Sequence, residues 1–170
     1  MRVARVGFNG EPRFGLVDGP ELILLKGHPL VHGYETTNER VAIKEVKLLA
    51  PTIPSKVVCI GKNYADHIAE MGLPTQPEPT IFLKPSSAII GPGDPIVLPR
   101  QSERVELEAE LAIVIGQIAK DVPVDSAMEY IWGYTVANDV TARDLQSSDD
   151  QWARSKGFDS FCPIGPWIET

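Results

Sequence analysis

Three glutamates alternate with apolar residues in the segment Arg104–Leu111, whose sequence is RVELEAEL. If this segment is a β-strand, Glu106, Glu108 and Glu110 share one face and lie about 6–7 Å apart along the backbone. Neighbouring carboxylates at that distance repel by about 0.6 kcal/mol in water and by about 2.5 kcal/mol at an effective dielectric constant of 20. A solvated outer face tolerates this repulsion, whereas a partly buried row needs a cation. The spacing alone therefore leaves a metal site and a plain surface strand both open.

The number of carboxylate ligands available to such a site depends on two further residues, Arg104 and Asp139. Arg104 has the parity to pair with Glu106, which leaves the other two glutamates without a partner. Asp139 directly follows a predicted strand, where an aspartate is commonly a helix cap. Thr141 and Asp144 have capping-box spacing and can serve that helix, which frees Asp139 to bind a metal. Three carboxylates are hard oxygen donors, so they predict Mg²⁺, with Mn²⁺ or Ca²⁺ as alternatives, rather than Zn²⁺.

A histidine and a glutamate stand close together on another predicted element. His67 and Glu70 are three residues apart in a predicted short helix, Asn63–Met71, and so lie on one face. A carboxylate beside an imidazole raises its basicity and orients it, as a general base requires. An exposed ion pair has the same spacing, so both interpretations stay open. The other two histidines, His28 and His32, fall in a predicted loop and receive no role.

The elements that must position these residues are mostly strands. Alternating residues around an Asn-Gly pair predict a β-hairpin in a small N-terminal β domain, residues 1–54. Pro51 and Pro54 bar both a helix and a central strand, so they mark its end. Residues 55–170 contain more strands than helices and no regular βαβ alternation, which predicts an α+β, mostly β architecture. The longest strand signal, Val105–Ile115, ends in residues that are apolar on both faces and is expected to lie centrally in its sheet.

Composition excludes several classes of partner. The 170 residues carry a net charge of −7 and no segment rich in Lys or Arg, so nucleic acid and anionic membrane surfaces are poor partners. No apolar stretch is long enough to cross a bilayer, and Met1 leads straight into alternating residues without an export segment. Cys59 and Cys162 lie in apolar runs and are expected to be buried free thiols in a reducing compartment. We therefore expect a cytoplasmic protein without a membrane partner.

Five motifs in a fixed order give a more specific signal than any of these spacings. They are CIGKNYADH at 59–67, IFLKPSS at 81–87, EAEL at 108–111, NDVTARDLQ at 138–146, and KGFD at 156–159 followed by CPIGP at 162–166. From about residue 55 onward, the chain resembles the fumarylacetoacetate hydrolase family, in particular its bacterial acylpyruvase and 2-hydroxyhepta-2,4-diene-1,7-dioate isomerase-like branch. The first fifty residues resemble the small N-terminal domain of the bacterial members.

The resemblance implies a mixed β-roll, a homodimer and roles for eight residues. It makes Glu108, Glu110 and Asp139 the ligands of one divalent ion, His67 and Glu70 a water-activating dyad, Lys156 a group that orients substrate or stabilises negative charge, and Arg143 and Gln146 substrate-binding positions. The founding hydrolase has a further metal-binding aspartate where Ile60 stands, so water is expected in that coordination position. Family members continue beyond Thr170 with more strands and a substrate-contacting loop, so the catalytic domain is expected to be incomplete at its C-terminus.

Together with the resemblance, these residues predict a Mg²⁺-dependent enzyme that acts on a small 2-oxo acid. Hydrolysis of a carbon–carbon bond in an acylpyruvate-type substrate is the first expectation. Decarboxylation of oxaloacetate and isomerisation or tautomerisation of a hydroxymuconate-like diacid are alternatives, because all three reactions use the same stabilised enolate. A non-catalytic metal-binding relative and a structural Ca²⁺ site are alternatives from another class.

Overall fold

The computed structural model describes residues 1–64, 66, 69, 72 and 77–170, and most of its regular structure is β-strand. The strands are β1 Arg2–Phe8, β2 Glu11–Asp18, β3 Glu21–Leu25, β4 Thr36–Ala42, β5 Lys47–Leu49, β6 Val57–Gly61, β7 Thr80–Lys84, β8 Ile89–Ile90, β9 Val105–Glu106, β10 Ala109–Ile115, β11 Ile131–Asn138, β12 Thr141–Ala142 and β13 Cys162–Glu169. The α-helices with described bounds are α1 Pro29–His32, α2 Arg143–Ser148 and α3 Ala153–Lys156, and 3₁₀ helices span Ile43–Glu45, Ser86–Ala88 and Val124–Tyr130. None of the described helices has the length and apolar character needed to cross a membrane. The α+β, mostly β prediction is confirmed.

An antiparallel hairpin begins the chain. β1 and β2 pair around Asn9 and Gly10, whose φ values of 51° and 82° lie in the left-handed region. Asn and Gly tolerate that conformation, and the predicted hairpin is confirmed. β3 and β4 continue the antiparallel pairing. Buried Val6 and Leu22 form the core of this unit together with the partly buried Trp167 of β13.

One large sheet joins the two predicted domains. Its strand order is β10-β11-β13-β1-β2-β3-β4, with β5 pairing with β1 and β8 pairing in parallel with β13. The junction is the antiparallel pair β1–β13, in which Val3 lies opposite Ile168 and both side chains are fully buried. The sheet therefore crosses the predicted boundary at Pro51–Pro54, and the boundary itself stays a prediction.

The strand predicted over Val105–Ile115 is broken and is not central. β9 pairs with β12 whereas β10 pairs with β11, so the break at Leu107 and Glu108 sends the two halves to different partners. Asn138 stabilises the break, because its side-chain oxygen accepts a hydrogen bond from the Glu108 N–H at 3.0 Å. Among the described strands β10 pairs with β11 alone and is an edge strand. The predicted central position is wrong because apolar residues on both faces do not specify which strands lie alongside.

The predicted capping box of Thr141 and Asp144 is also wrong. Thr141 belongs to β12, and α2 begins after Ala142, which acts as N-cap without a side-chain hydrogen bond. The Asp144 carboxylate instead accepts a hydrogen bond from the Ser102 hydroxyl at 2.6 Å. It thereby ties the loop before β9 to the start of α2, a long-range contact that local spacing cannot show.

The outer face of the β10–β11 pair is apolar and exposed. Leu111 lies opposite Val136 and Ile113 lies opposite Tyr134, and these four side chains are exposed together with Ile115. Soluble monomers rarely leave a large contiguous apolar patch open to water.

Thr135 on β11 offers a test of core packing. It is buried, and its hydroxyl has no hydrogen-bond partner in the described structure. A buried unpaired hydroxyl costs about 1–3 kcal/mol, and valine has the same shape without it. We expect Thr135→Val to raise the free energy of unfolding by about 1 kcal/mol, measured by urea denaturation.

Thr37→Val is the matched control for this change. The Thr37 hydroxyl donates to the Leu24 carbonyl at 3.2 Å, so its removal is expected to lower the free energy of unfolding. A Thr135→Val protein that is less stable than the wild type would contradict the assignment of an unpaired hydroxyl.

Candidate active site

A cavity of about 600 Å³ lies where β6, β7, β10, α2 and α3 meet. Six of the eight predicted site residues line it, namely Glu108, Glu110, Asp139, Arg143, Gln146 and Lys156. The other two, His67 and Glu70, lie outside the described residues, so the dyad stays a prediction. The cavity is the candidate active site because it gathers most of the residues that spacing and motifs singled out.

Backbone hydrogen bonds at the ends of two strands bring Glu108 and Asp139 together. Glu108 precedes β10 and Asp139 follows β11, and Ala109 lies opposite Asn138 where this ladder ends. The Asp139 N–H donates to the Glu108 carbonyl at 2.9 Å. Glu110 is two residues further along β10 and therefore points to the same side as Glu108. The ladder thus directs three acids toward one cavity.

Two arginines neutralise the outer part of the acidic row. Arg104 pairs with Glu106 at 2.7 Å, as predicted. Arg143 contacts the same glutamate at 2.9 Å and Glu108 at 2.6 Å, and it donates to Gln146 at 2.9 Å. Burial lowers the pKa of Arg143, but hydrogen bonds and attraction from the two glutamates outweigh burial, so the pKa is raised. The prediction that Glu108 has no cation partner is wrong, because α2 brings an arginine that the strand pattern does not show.

Two buried lysines share the Asp139 carboxylate. The Lys156 side chain is 3% exposed, and its Nζ lies 2.6 Å from Asp139 Oδ2 and 3.3 Å from both carboxylate oxygens of Glu108. The Lys84 side chain is 1% exposed, and its Nζ lies 2.6 Å from Asp139 Oδ1. A buried ion costs several kcal/mol unless it is paired, so both lysines depend on these carboxylates. Lys156 is therefore part of the cavity and not ordinary surface charge.

Thr141 and Lys84 are members of this cluster that the sequence analysis missed. The Thr141 hydroxyl accepts a hydrogen bond from Lys156 Nζ at 2.8 Å and donates to the Asp139 carbonyl at 2.9 Å. Its assignment as a helix cap concealed this contact. A signal for Lys84 is present in the sequence, because this lysine directly follows the apolar run of β7 and has the parity to share a face with Phe82.

Glu110, unlike Glu108 and Asp139, has no hydrogen bond or ion pair from its carboxylate to another described residue. Burial raises its pKa, and repulsion from Asp139 and Glu108 raises it further. A dication would relieve that repulsion, and carboxylates are the hard donors that Mg²⁺ and Mn²⁺ take. Within the described part of the chain, no three Asp, Glu, His or Cys side chains are close enough to hold a metal as they stand. The three carboxylates are of the donor type that a divalent ion takes, and binding one requires their side chains to draw together.

An aromatic wall closes one side of the cavity. The rings of Phe82 and Trp152 meet edge to face with centroids 5.5 Å apart, and Lys156 Nζ lies 4.9 Å from the Phe82 centroid. Trp152 packs directly on Gly61, where an added Cβ would lie 2.5 Å from the indole ring. Apolar rings lower the local dielectric constant and so strengthen the attraction between Lys156 and its carboxylates.

Comparison with known proteins identifies the family. The family model described as fumarylacetoacetate (FAA) hydrolase C-terminal matches residues 56–170. The chain belongs to the fumarylacetoacetate hydrolase family. A second family model, described as Rv2993c-like, N-terminal, matches residues 1–51. The resemblance carried by the five motifs is thereby confirmed.

Several relatives are about 44–51% identical to this chain over the matched residues. Protein Rv2993c of Mycobacterium tuberculosis is 51% identical over 178 residues, covering 100% of this chain and 66% of its own length. A crystal structure of 2-hydroxyhepta-2,4-diene-1,7-dioate isomerase from Mycobacterium marinum is 44% identical, with a TM-score of 0.89 over 100% of this chain and 66% of its own. The mitochondrial oxaloacetate tautomerase fahd2 of Xenopus laevis is 50% identical over 128 residues, covering 74% of this chain and 40% of its own. The chain thus spans two thirds or less of the length of these relatives.

The two cysteines give a test of the environment beside the cavity. Both are free, as predicted, and Cys162 is buried as expected, whereas Cys59 is only half-buried. Burial, followed by repulsion from Asp139, raises the pKa of Cys59 from 9.0 to about 12. Because the thiolate is the reactive form, we expect iodoacetamide to alkylate Cys59 at pH 8 about a thousandfold more slowly than an exposed thiol of ordinary pKa.

Mass spectrometry of timed samples measures this rate, which should increase about tenfold per pH unit while the protein stays folded. The same protein unfolded in urea is the control and should react at the ordinary thiol rate. Equal rates in the folded and unfolded protein would show that the Cys59 pKa is not raised.

Proposed function

We propose that this member of the fumarylacetoacetate hydrolase family hydrolyses a carbon–carbon bond in a small 2-oxo acid of the acylpyruvate type, with the help of a divalent ion. The observation that carries the proposal is the cavity in which three carboxylates, Glu108, Glu110 and Asp139, lie beside the buried ammonium of Lys156. Such a site combines donors for a hard cation with a fixed positive charge for an anionic substrate.

The three acids are the groups that would hold the ion, Mg²⁺ first, with Mn²⁺ or Ca²⁺ as alternatives. When bound, such an ion draws electron density toward the 2-oxo oxygen of the substrate. Arg143 and Gln146 line the cavity next to each other and offer N–H groups to the polar substrate. The aromatic wall of Phe82 and Trp152 contacts its apolar part.

Proton transfer is the part of the reaction that this chain's own residues perform. His67, oriented by Glu70, removes a proton from water, and the water oxygen attacks the distal carbonyl carbon. The carbon–carbon bond then breaks, its electron pair stays with the pyruvate fragment as an enolate, and protonation gives pyruvate and a carboxylic acid. Lys156 stabilises the negative charge on oxygen, because its ammonium is buried and held in place by Asp139 and Thr141.

Proton transfer without cleavage is the second candidate. Two of the relatives are named as a 2-hydroxyhepta-2,4-diene-1,7-dioate isomerase and an oxaloacetate tautomerase, and these names favour this alternative. Such a reaction needs a base and a stabilised enolate but no attacking water. Decarboxylation of oxaloacetate is a third reaction of the same site, since it also proceeds through an enolate.

We also propose that the chain forms a homodimer in the cytoplasm and has no nucleic-acid or membrane partner. The exposed apolar face of β10–β11 supports a protein partner, because burying it would remove five large apolar side chains from water. The net charge of −7 argues against polyanionic partners.

Turnover of matched substrates tests the proposed reaction. With saturating Mg²⁺, we expect the full-length protein to convert an acylpyruvate to pyruvate. Pyruvate formation is measured through the oxidation of NADH in a coupled lactate dehydrogenase assay. Oxaloacetate separates the alternatives, because tautomerisation changes the enol absorbance without release of CO₂ and decarboxylation releases it. Protein treated with EDTA is the control and should be inactive. If no substrate is turned over, the protein is a non-catalytic metal-binding relative and the proposal is rejected.

Two substitutions separate metal binding from proton transfer. We expect His67→Ala to leave Mn²⁺ affinity within about twofold and to abolish hydrolysis, because the histidine is the base and not a ligand. Glu110→Gln should weaken Mn²⁺ binding about tenfold or more, because it removes one charged ligand. Titration followed by electron paramagnetic resonance of free Mn²⁺ measures both, with the exposed Glu129→Gln as control. Undiminished hydrolysis by His67→Ala would remove the dyad from the mechanism.

A further inference from the structure

The Asp139 carboxylate has a buried partner on the side that faces away from the cavity. Lys84 is absent from the residues that line the cavity, and its Nζ donates to Asp139 Oδ1 at 2.6 Å and to the Val140 carbonyl at 3.2 Å. Lys156 approaches the other oxygen, Oδ2, at 2.6 Å. Each oxygen of this carboxylate therefore has its own ammonium.

Charge neutralisation alone does not account for Lys84. Asp139 already has a buried cation partner in Lys156, and a second buried ammonium adds a desolvation cost of several kcal/mol and repulsion between the two lysines. Fully buried lysines are rare for this reason. A second ammonium on the same carboxylate is explained if the orientation of the Asp139 carboxylate has to be fixed.

The contacts of Lys84 restrict rotation of the carboxylate. The χ2 torsion of an aspartate is broad when the carboxylate is free. Here, rotation by a quarter turn would break both 2.6 Å contacts of Asp139 in a buried site. The Val140 carbonyl binds the Lys84 ammonium as well, so the ammonium is not free to follow the carboxylate.

We propose that Lys84 is a positioning residue for Asp139, which holds the carboxylate so that Oδ2 alone faces the cavity. This inference rests on the proposed function, because it is there that Asp139 acts as a metal ligand. Lys84 contacts neither substrate nor ion and acts through Asp139.

Lys84→Met tests the proposal because methionine keeps an unbranched, flexible side chain in the buried site and removes the ammonium. We expect its Mn²⁺ affinity, measured by electron paramagnetic resonance, to fall about tenfold or more, as is usual when a group that orients a ligand is removed. Turnover should be largely restored by raising the Mn²⁺ concentration. Lys156→Met is the matched control on the other oxygen of Asp139, and its turnover should stay low at any Mn²⁺ concentration while its Mn²⁺ affinity is not weakened.

A role in stability alone predicts a different result. In that case Lys84→Met lowers the melting temperature but leaves the Mn²⁺ affinity of the folded protein unchanged, which would overturn the proposal. If the methionine variant does not fold, Lys84→Gln takes its place. Its amide can donate to Asp139, but it is one bond too short to hold the carboxylate against the Val140 carbonyl, so the same tenfold loss is expected and its absence overturns the proposal.

Crystal structures of the wild type and the folded variant test this inference independently of the proposed function. The χ2 torsion of Asp139 is measured in both without metal or substrate, and we expect it to differ between them by more than about 30°. An unchanged torsion overturns the positioning role even in an active enzyme. A changed torsion in a protein that binds no Mn²⁺ and turns over no substrate upholds the positioning role and rejects the proposed function.

Discussion

A carboxylate that is removed from water must be matched by cations, and around Asp139 this requirement organises the candidate active site. Lys84 reaches it from β7 and Lys156 from α3, at 2.6 Å in both cases. Through Lys156 the same requirement extends to Glu108, and from there to Arg143 on α2. Elements that are distant in sequence are therefore held around one cavity by alternating charges.

The β-sheet supplies the geometry that charge alone cannot provide. The β10–β11 ladder places Ala109 opposite Asn138, so the residues just outside it, Glu108 and Asp139, meet through a backbone hydrogen bond. The break before β10 then turns β9 toward β12, which brings Glu106 opposite Thr141. The pairing of neighbouring strands thus determines which acids face the cavity, and the lysines and arginines form ion pairs with these acids.

Much of this arrangement can be predicted from the sequence, and the exceptions have one physical cause. Alternation along a strand places Glu108 and Glu110 on one face, and the position after a strand singles out Asp139, because both arguments use only local geometry. The α+β class and the first hairpin are predicted for the same reason. The cation partners of Glu108, the hydrogen bonds of Thr141, the edge position of β10 and the burial of Lys84 depend on which elements lie alongside. Such neighbours are set by tertiary pairing, which periodicity does not encode.

The pairing of β1 with β13 ties the two halves of the chain along a continuous seam. Val3 and Ile168 sit on either side of it, and the N–H of Thr170 donates to the carbonyl of Met1 at 2.7 Å. Separating the N-terminal unit from the rest of the chain would leave one side of β13 unpaired. Its exposed N–H and C=O groups could then pair with strands of other chains. The N-terminal unit therefore protects the larger one from such pairing, because β1 covers the side of β13 that would otherwise be open.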